Sequence, residues 1–365
     1  MEIRLKRSEF LTELAPMQGI VERRTTIPVL SHLLLTVRGD RLYLAATDLD
    51  VSLTSWVGGE VAREGAIAVQ AKKFLEIVRA AATEEVQLVQ EEERSLAISF
   101  GTARFRIHGL PATDFPTLAT VAPRTEVEIP LPRFRRFVSK VLFAVSSEEA
   151  RFQLSGALVH LKDGKVEMVA TDGHRLALIE GAVSGAKGED SVLVPRKALQ
   201  ELLRFEGEEQ LVFRRGEHHL AFVSGRRELV CRILEGTFPD YERVIAKQND
   251  KKVVVDRRGL AEMVQRIALI TGDRARGVRL AFAPGEITVS AANPDLGEAS
   301  ETLACEYEGE ALRIGLNPDY LGQFLAALET EKVLFELKDE NSQCLGSPIG
   351  GEDDRYLCVI MPMRI

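Results

Sequence analysis

The strongest constraint on this 365-residue chain is repetition at about one third of its length. Leu44-Ala45-Ala46-Thr47-Asp48 matches Met168-Val169-Ala170-Thr171-Asp172, and more weakly Val289-Ser290-Ala291-Ala292-Asn293. The steps from Asp48 to Asp172 to Asn293 are 124 and 121 residues. Phe115-Pro116 returns as Phe238-Pro239 after 123 residues, and an apolar i, i+3 pair occurs as Leu11/Leu14, Phe134/Phe137 and Leu260/Met263. Several markers in one order at one period argue for a triplicated unit over coincidence. The expected division is into domains 1–122, 123–249 and 250–365.

Each unit reads as α+β. A first amphipathic helix is expected over 8–19, 133–147 and 257–267. In the second, Phe134, Phe137, Val138, Val141 and Leu142 follow the spacing of a buried helical face. Pro16 should kink or shorten the first. Two short apolar runs follow in each unit: 33–37 with 42–46, 157–161 with 166–170, and 278–282 with 287–291. Gly39-Asp40, Asp163-Gly164 and Pro284-Gly285 between them are hairpin signals. A second helix is expected over 71–83, 194–205 and 318–328, the last opened by Asn317 as cap and Pro318 in its first turn. Further alternating strands, such as 86–89 with 96–100, complete the unit. The expected fold is therefore two helices on antiparallel strands, three times over.

Charge narrows the function. Forty-seven basic and 55 acidic residues give a net charge of -8, so the chain as a whole is not a basic nucleic-acid binder. Yet the six expected helices together carry +7, of which 133–147 alone holds +4. Basic helices on acidic sheets can attract a polyanion to one face and repel it from the other. A merely solvated helix face would give the same count, and no recognition helix or zinc finger is present to read bases. Any nucleic acid would be held by its phosphates, without sequence choice. Four cysteines without a C-x-x-C pair suit a reducing, cytoplasmic setting. Residues 1–10, with three basic and two acidic groups, do not read as a secretory signal. No apolar run has the length of a membrane span, and no membrane partner is expected.

The motifs Ala170-Thr171-Asp172-Gly173-His174-Arg175-Leu176-Ala177, Val194-Pro195-Arg196-Lys197, Phe238-Pro239-Asp240-Tyr241 and Val359-Ile360-Met361-Pro362-Met363-Arg364-Ile365 stand in a distinctive order. Together with the three repeats they make the whole chain resemble the bacterial DNA sliding clamps, the beta subunits of DNA polymerase III. The resemblance implies a head-to-tail homodimer, a ring of six similar domains with helices inside and sheets outside, threaded by double-stranded DNA. It implies no cofactor, no metal and no bond chemistry. Implied partners are the polymerase III catalytic subunit, the clamp loader, and other polymerases and repair proteins carrying a clamp-binding peptide.

The resemblance also places a peptide pocket between the second and third repeats. Its apolar wall would be Leu154, Leu176, Pro239, Val244, Val359, Ile360, Met361, Pro362 and Met363. Its polar rim would be Thr171, Gly173, His174, Arg175, Arg243, Asn317, Tyr320 and Arg364. A peptide anchored by Leu and Phe needs such a slot, and methionines repack to suit several partners. By position alone, 359–363 also reads as a terminal core strand. For DNA, Arg24, Arg196 and Lys197 follow from motif position, and Lys73, Arg136, Lys140 and Arg151 from charge. Some members carry tyrosines where this chain has Phe152-Gln153, and a bulky aromatic where it has Ala275. For the ring joint, Arg104, Phe105 and Ile107 would face Leu269 and Ile270, with Glu298 and Glu301 available to basic partners.

His174 with Asp172 admits a rival reading as a metal ligand or general base of a nucleic-acid-processing enzyme. No nucleophile motif or second histidine at ligand spacing accompanies the pair, and His218-His219 stand in a charged stretch. A triple-repeat scaffold with no further task is the third reading, and it leaves the helical charge unused.

Overall fold

The computed structural model describes residues 1–22, 26–148, 150–183, 189–207, 209–245, 248–272, 277–351 and 354–364. The first repeat runs β1 (Glu2–Lys6), α1 (Arg7–Leu14), β2 (His32–Arg38), β3 (Arg41–Thr47) and β4 (Val51–Gly58). It continues with β5 (Glu60–Arg63), β6 (Gly65–Gln70), α2 (Ala71–Arg79), β7 (Glu85–Glu92), β8 (Ser95–Phe100) and β9 (Ala103–Pro111). The second comprises β10 (Thr125–Pro130), α3 (Leu131–Val141), β11 (Gly156–Lys162), β12 (Lys165–Thr171) and β13 (Arg175–Ala182). Then come β14 (Asp190–Pro195), α4 (Arg196–Leu202), β15 (Gln210–Arg215), β16 (His219–Ser224) and β17 (Arg227–Arg232). The third begins with β18 (Lys251–Asp256), α5 (Arg257–Ile267), β19 (Val278–Ala283), β20 (Glu286–Asn293) and β21 (Gly297–Glu306). It ends with β22 (Leu312–Leu316), α6 (Pro318–Ala327), β23 (Lys332–Leu337), β24 (Cys344–Ile349) and β25 (Arg355–Ile360). The order repeats three times, with β5 as the first repeat's one addition.

Two compact units result, and they cut across the repeats: Met1–Arg135 with Lys197–Ile233, and Arg136–Arg196 with Leu234–Ile365. The first holds a 13-stranded sheet in the order β10-β15-β16-β17-β4-β3-β2-β6-β9-β8-β7-β1-β5. The second holds a 12-stranded sheet in the order β14-β11-β12-β13-β25-β24-β23-β18-β21-β20-β19-β22. The middle repeat lends half its strands to each, because its outer strands pair with a neighbouring repeat.

Those pairings follow one rule. In the first unit β17 runs antiparallel to β4, with Leu229 opposite Leu53 and Cys231 opposite Val51. In the second, β25 runs antiparallel to β13, with Cys358 opposite Ala177 and Leu357 opposite Leu178. Each seam joins the last strand of one repeat to the strand that follows the first hairpin of the repeat before it. The strands in those places still without such a mate are β9 and β21. β9 pairs with β8 from Ala103 onward but reaches β6 only from Gly109. β21 pairs with β20 along its length up to Ala304 and meets β18 only at Cys305 and Glu306. Among the described residues, no strand pairs with the outer edge of 103–108 or of 297–304.

The helices differ from expectation at their ends. α1 stops at Leu14, and Pro16 opens a separate 3-10 turn to Gly19, since proline has no N–H to continue the ladder. Its buried face is Phe10, Glu13 and Leu14. The true equivalents are thus Phe10/Leu14, Phe134/Val138 and Leu260/Val264, all buried, whereas Leu11 is only half-buried. α2 ends at Arg79, and α3 occupies Leu131–Val141 before a 3-10 turn at Leu142–Ala144. Val194 and Pro195 belong to β14, opposite Ala157 and Gly156 in β11, so α4 begins only at Arg196. A residue before proline favours extended backbone, which ends a helix reading there. α5 matches its expected span, and α6 runs Pro318–Ala327 with the Asn317 side chain accepting from Asp319 N at 2.9 Å and Tyr320 N at 3.4 Å. Asp163 and Gly164 both adopt positive φ, the backbone that a tight two-residue hairpin turn demands. No described helix is long and apolar enough to cross a membrane.

Candidate functional site

In the second unit, the turn from β12 into β13 is tied by its own polar side chains. Thr171 Oγ1 donates to Arg175 O at 2.6 Å and accepts from Gly173 N at 3.1 Å. Asp172 Oδ1 accepts from His174 N at 2.9 Å and Arg175 N at 3.0 Å, and its Oδ2 accepts from Arg175 Nε at 3.0 Å. Gly173 sits at φ +89°, a conformation that favours glycine. The turn is therefore rigid, with Gly173 and His174 exposed at its tip. The His174 ring stacks on Tyr320 at 6.4 Å, and Asn317 caps the helix turn that carries Tyr320.

The chain terminus is laid beside this turn by two backbone bonds, Met361 N to His174 O at 2.9 Å and Met363 N to Gly315 O at 2.8 Å. Met361 and Arg364 are exposed, while Pro362 and Met363 are half-buried. Beneath lies an apolar cluster of Val169, Leu176, Leu178, Leu345, Leu357 and Val359. Leu158, Phe238, Tyr241, Val244 and Ile245 pack against it partly exposed. Pro239 and Arg243 are exposed on the same 238–245 segment, with Arg243 ion-paired to Asp240 at 2.7 Å. Leu154 is buried.

The structure brings Leu176, Val244 and Val359 into one cluster and joins His174, Tyr320, Met361 and Met363 around it. Of the remaining expected members, Arg175 lies low in the rim and Ile360 faces away. Arg175, expected on the rim, is 8 % exposed. Its guanidinium lies between the Tyr320 and Phe143 rings at 4.3 and 5.2 Å and donates to Gln323 Oε1 at 2.6 Å and to Phe143 O. It braces the rim and lines the cleft beside His174 and Tyr320. Ile360 follows Val359 in a strand, so its side chain points to the opposite face, where it is buried; it backs the site without lining it. Missing from the sequence reading were Leu178, Leu357 and Tyr241. The period-2 alternation of 176/178 and 357/359 carried the signal for the two leucines.

Beside the turn is a polar cleft of about 410 Å³ lined by Phe143, Ser146, Glu148, His174, Arg196 and Gln323, among others. Arg196 Nη1 donates to Val145 O at 3.1 Å. Arg151 donates to Asp172 O at 3.1 Å and pairs with Glu148 at 3.2 Å. Lys197 donates to Ile20 O at 2.7 Å and pairs with Asp48. Lys73 is exposed and paired with Glu76 at 2.6 Å, and Arg136 is held by Asp354 and by Glu329 at 3.3 Å. Lys140 corrects its expectation. It is 3 % exposed, donates to Ala327 O and pairs with Glu329 at 3.0 Å, so its charge is used inside the unit and not offered to a phosphate. Arg24 and Ala275 lie outside the described residues. Phe152 is 68 % exposed at the surface of a 3-10 turn.

Of the expected joint residues, Arg104 and Phe105 are exposed and Ile107 half-buried on β9. Leu269 is 78 % exposed, beside half-buried Ile270, in the turn after α5. Glu298 is exposed on β21, whereas Glu301 already pairs with Arg266 of its own chain at 2.6 Å. The rival catalytic reading loses its carboxylate, because both oxygens of Asp172 are engaged by the turn and by Arg175. Among the described residues, no group of three His, Cys, Asp or Glu gathers as a metal site.

The family models for the DNA polymerase III beta subunit match in three pieces. The N-terminal domain matches residues 1–119, the central domain 128–240 and the C-terminal domain 242–364. The chain belongs to the DNA polymerase III beta subunit family. A beta sliding clamp of Pseudomonas putida is 37% identical over the full length of both chains. The crystal structure of the DNA polymerase III subunit beta from Pseudomonas aeruginosa superimposes with a TM-score of 0.94 at 36% identity, covering 100% of each chain. A sliding clamp from Bartonella birtlesii, solved bound to griselimycin, gives a TM-score of 0.95 at 33% identity, again over 100% of each. The three repeats are thus the three domains of a beta sliding clamp, and the fold is the DNA clamp fold.

Proposed function

We propose that two copies of this sliding clamp close head to tail around double-stranded DNA and tether replication proteins to it. The carrying observation is the rule of the seams. Both seams within the chain pair a last strand with the strand after the first hairpin, and β9 and β21 are the remaining strands in those two places. A second copy supplies each with its missing mate. Transferring the register of Leu229 opposite Leu53 puts Phe105 opposite Ala299 of the partner and Ile107 opposite Gly297. Phe105, Ile107, Leu269 and Ile270 are then covered at the joint, which also removes two open sheet edges.

Six domains joined by one rule make a closed ring, with domains near the matched spans 1–119, 128–240 and 242–364. Such a ring holds DNA by topology, needs only phosphate attraction, and does no bond chemistry. Lys73, Arg151, Arg196, Lys197 and Arg24 are its proposed phosphate-facing residues. The pocket over Leu176, Leu178, Leu357 and Val359 receives an extended apolar peptide, with His174, Tyr320, Arg243 and Arg364 at its edge. Its proposed bearers are the polymerase III catalytic subunit, the clamp loader and other polymerases and repair proteins, in the cytoplasm.

The test is retention. Loaded clamp should stay on a nicked circle and run off the same DNA once it is cut open, and scattering should give a ring of two chains. Equal retention on linear and circular DNA, or a monomer at every micromolar concentration, would overturn the proposal.

A further inference from the structure

One wall of the pocket is not part of any sheet. Residues 238–245 leave β17 behind and carry Pro239, Arg243 and Val244 across the face of β12 and β13 with a single 3-10 turn, Tyr241–Arg243. Such a segment makes no ladder bonds, so what fixes its height above the leucines decides how well the slot fits a ligand. Val244 N bonds Tyr241 O at 3.0 Å, Gln343 Nε2 donates to Val244 O at 3.2 Å, and the Tyr241 ring meets Phe238 edge-on at 6.2 Å. The Tyr241 hydroxyl donates to the Glu167 carboxylate on β12, a residue two places from Val169 and so on the same face of the sheet as the cluster.

From this geometry we infer that Tyr241 and Glu167 form a latch that positions the Val244 wall and thereby sets peptide affinity. The inference rests on the pocket reading above. A charge-assisted bond from a half-buried hydroxyl is among the stronger ways to pin a loop to a sheet. Burial, then the hydrogen bond and charge of Glu167, push the hydroxyl well above its ordinary value, so it stays protonated and can only donate to a carboxylate. The first repeat has no such device. By the repeat step, Leu118 and Tyr43 stand where Tyr241 and Glu167 stand, and Leu118 is packed apolarly with no hydroxyl to give. The latch thus accompanies the one seam that presents a slot.

The test uses the full-length clamp, Tyr241→Phe, Glu167→Ala and Glu167→Gln, titrated with a peptide bearing Leu and Phe anchors. Tyr241→Phe and Glu167→Ala should weaken binding roughly fivefold to twentyfold, mostly through faster dissociation, with unfolding midpoints close to wild type. Glu167→Gln, whose amide oxygen still accepts, should bind within about twofold of wild type. Amide exchange at Val244 and Ile245 without peptide should quicken in the two weakened variants and not in Glu167→Gln. Tyr241→Phe with wild-type affinity, or with unchanged exchange, overturns the latch. A wild-type clamp that ignores the peptide while exchange still responds overturns the pocket reading and leaves the latch as a loop anchor only.

Discussion

The seam of β17 on β4 and the seam of β25 on β13 use the same strands of successive repeats, yet several matching positions differ in chemistry on each face. On one face the first carries Ser52, Thr54, Glu228 and Val230 where the second carries Leu176, Leu178, Leu357 and Val359. On the other, the first buries Glu13, Ser55 and Arg227, and the second has Phe137, Ile179 and Tyr356 in the corresponding places. Arg227 donates to Glu13 from Nε at 2.8 Å and Nη2 at 3.2 Å, Ser55 Oγ adds a bond at 2.5 Å, and Thr12 O takes a further one at 3.0 Å. Strand pairing is common to both seams, so the ladder supplies the architecture. The side chains on its two faces decide whether a seam is merely closed or also offers an apolar slot.

The sharpest way to break that comparison is to unbalance the buried pair. Arg227→Met leaves Glu13 charged and unpaired in the core, at a cost of about 3–5 kcal/mol. Making that layer apolar at matched volume, as Glu13→Leu with Ser55→Ala and Arg227→Met, should recover most of that, since an apolar set of similar volume often equals a buried pair. Urea unfolding reads both. An Arg227→Met protein as stable as wild type would show that the two inner layers are not energetic alternatives.

The next largest effect concerns the slot. Leu178→Thr with Leu357→Glu rewrites two positions of the second seam in the first seam's residues while leaving backbone pairing in place. Peptide affinity should fall roughly hundredfold, the scale of losing an interface's central anchors, and the dimer should persist in sedimentation. Unchanged affinity would put the peptide somewhere other than over these leucines.

How far the sequence foretold this can be read from particular residues. The repeats, hairpins and α5 were visible because periodicity and turn residues are local signals. The register of the first helix was not, because Glu13 occupies an inward place where pattern reading expects a hydrophobe, which shifted attention to Leu11. Pro195 reads as helical within 194–205, whereas its pairing to β11 is a long-range fact. Lys140 differs from expectation because a charged residue reads as surface until its partners, Ala327 and Glu329, are known. Leu178 and Leu357 lay in plain alternation but belong to a site only once β13 and β25 are adjacent.

The smallest expected effect sharpens the contrast from the charged side. The second seam carries ions as well: buried Arg175 pairs with Asp172 at 3.0 Å, and Lys140 and Arg136 meet Glu329, whose side chain is 62 % exposed. Partial burial pushes the Glu329 carboxyl up, but the Lys140 hydrogen bond and the charges of Lys140 and Arg136 outweigh it and hold the group below its ordinary 4.5. A carboxyl depressed on folding adds stability above its unfolded value, and that contribution drains away as pH falls through the depressed one. Exposure limits it to under about 1 kcal/mol. Glu329→Gln should therefore lower the urea midpoint slightly at about pH 6, a difference that fades as pH falls through the depressed value, with peptide affinity unmoved throughout. A difference that persists undiminished into acid would mean that Glu329 acts through packing and not through its charge.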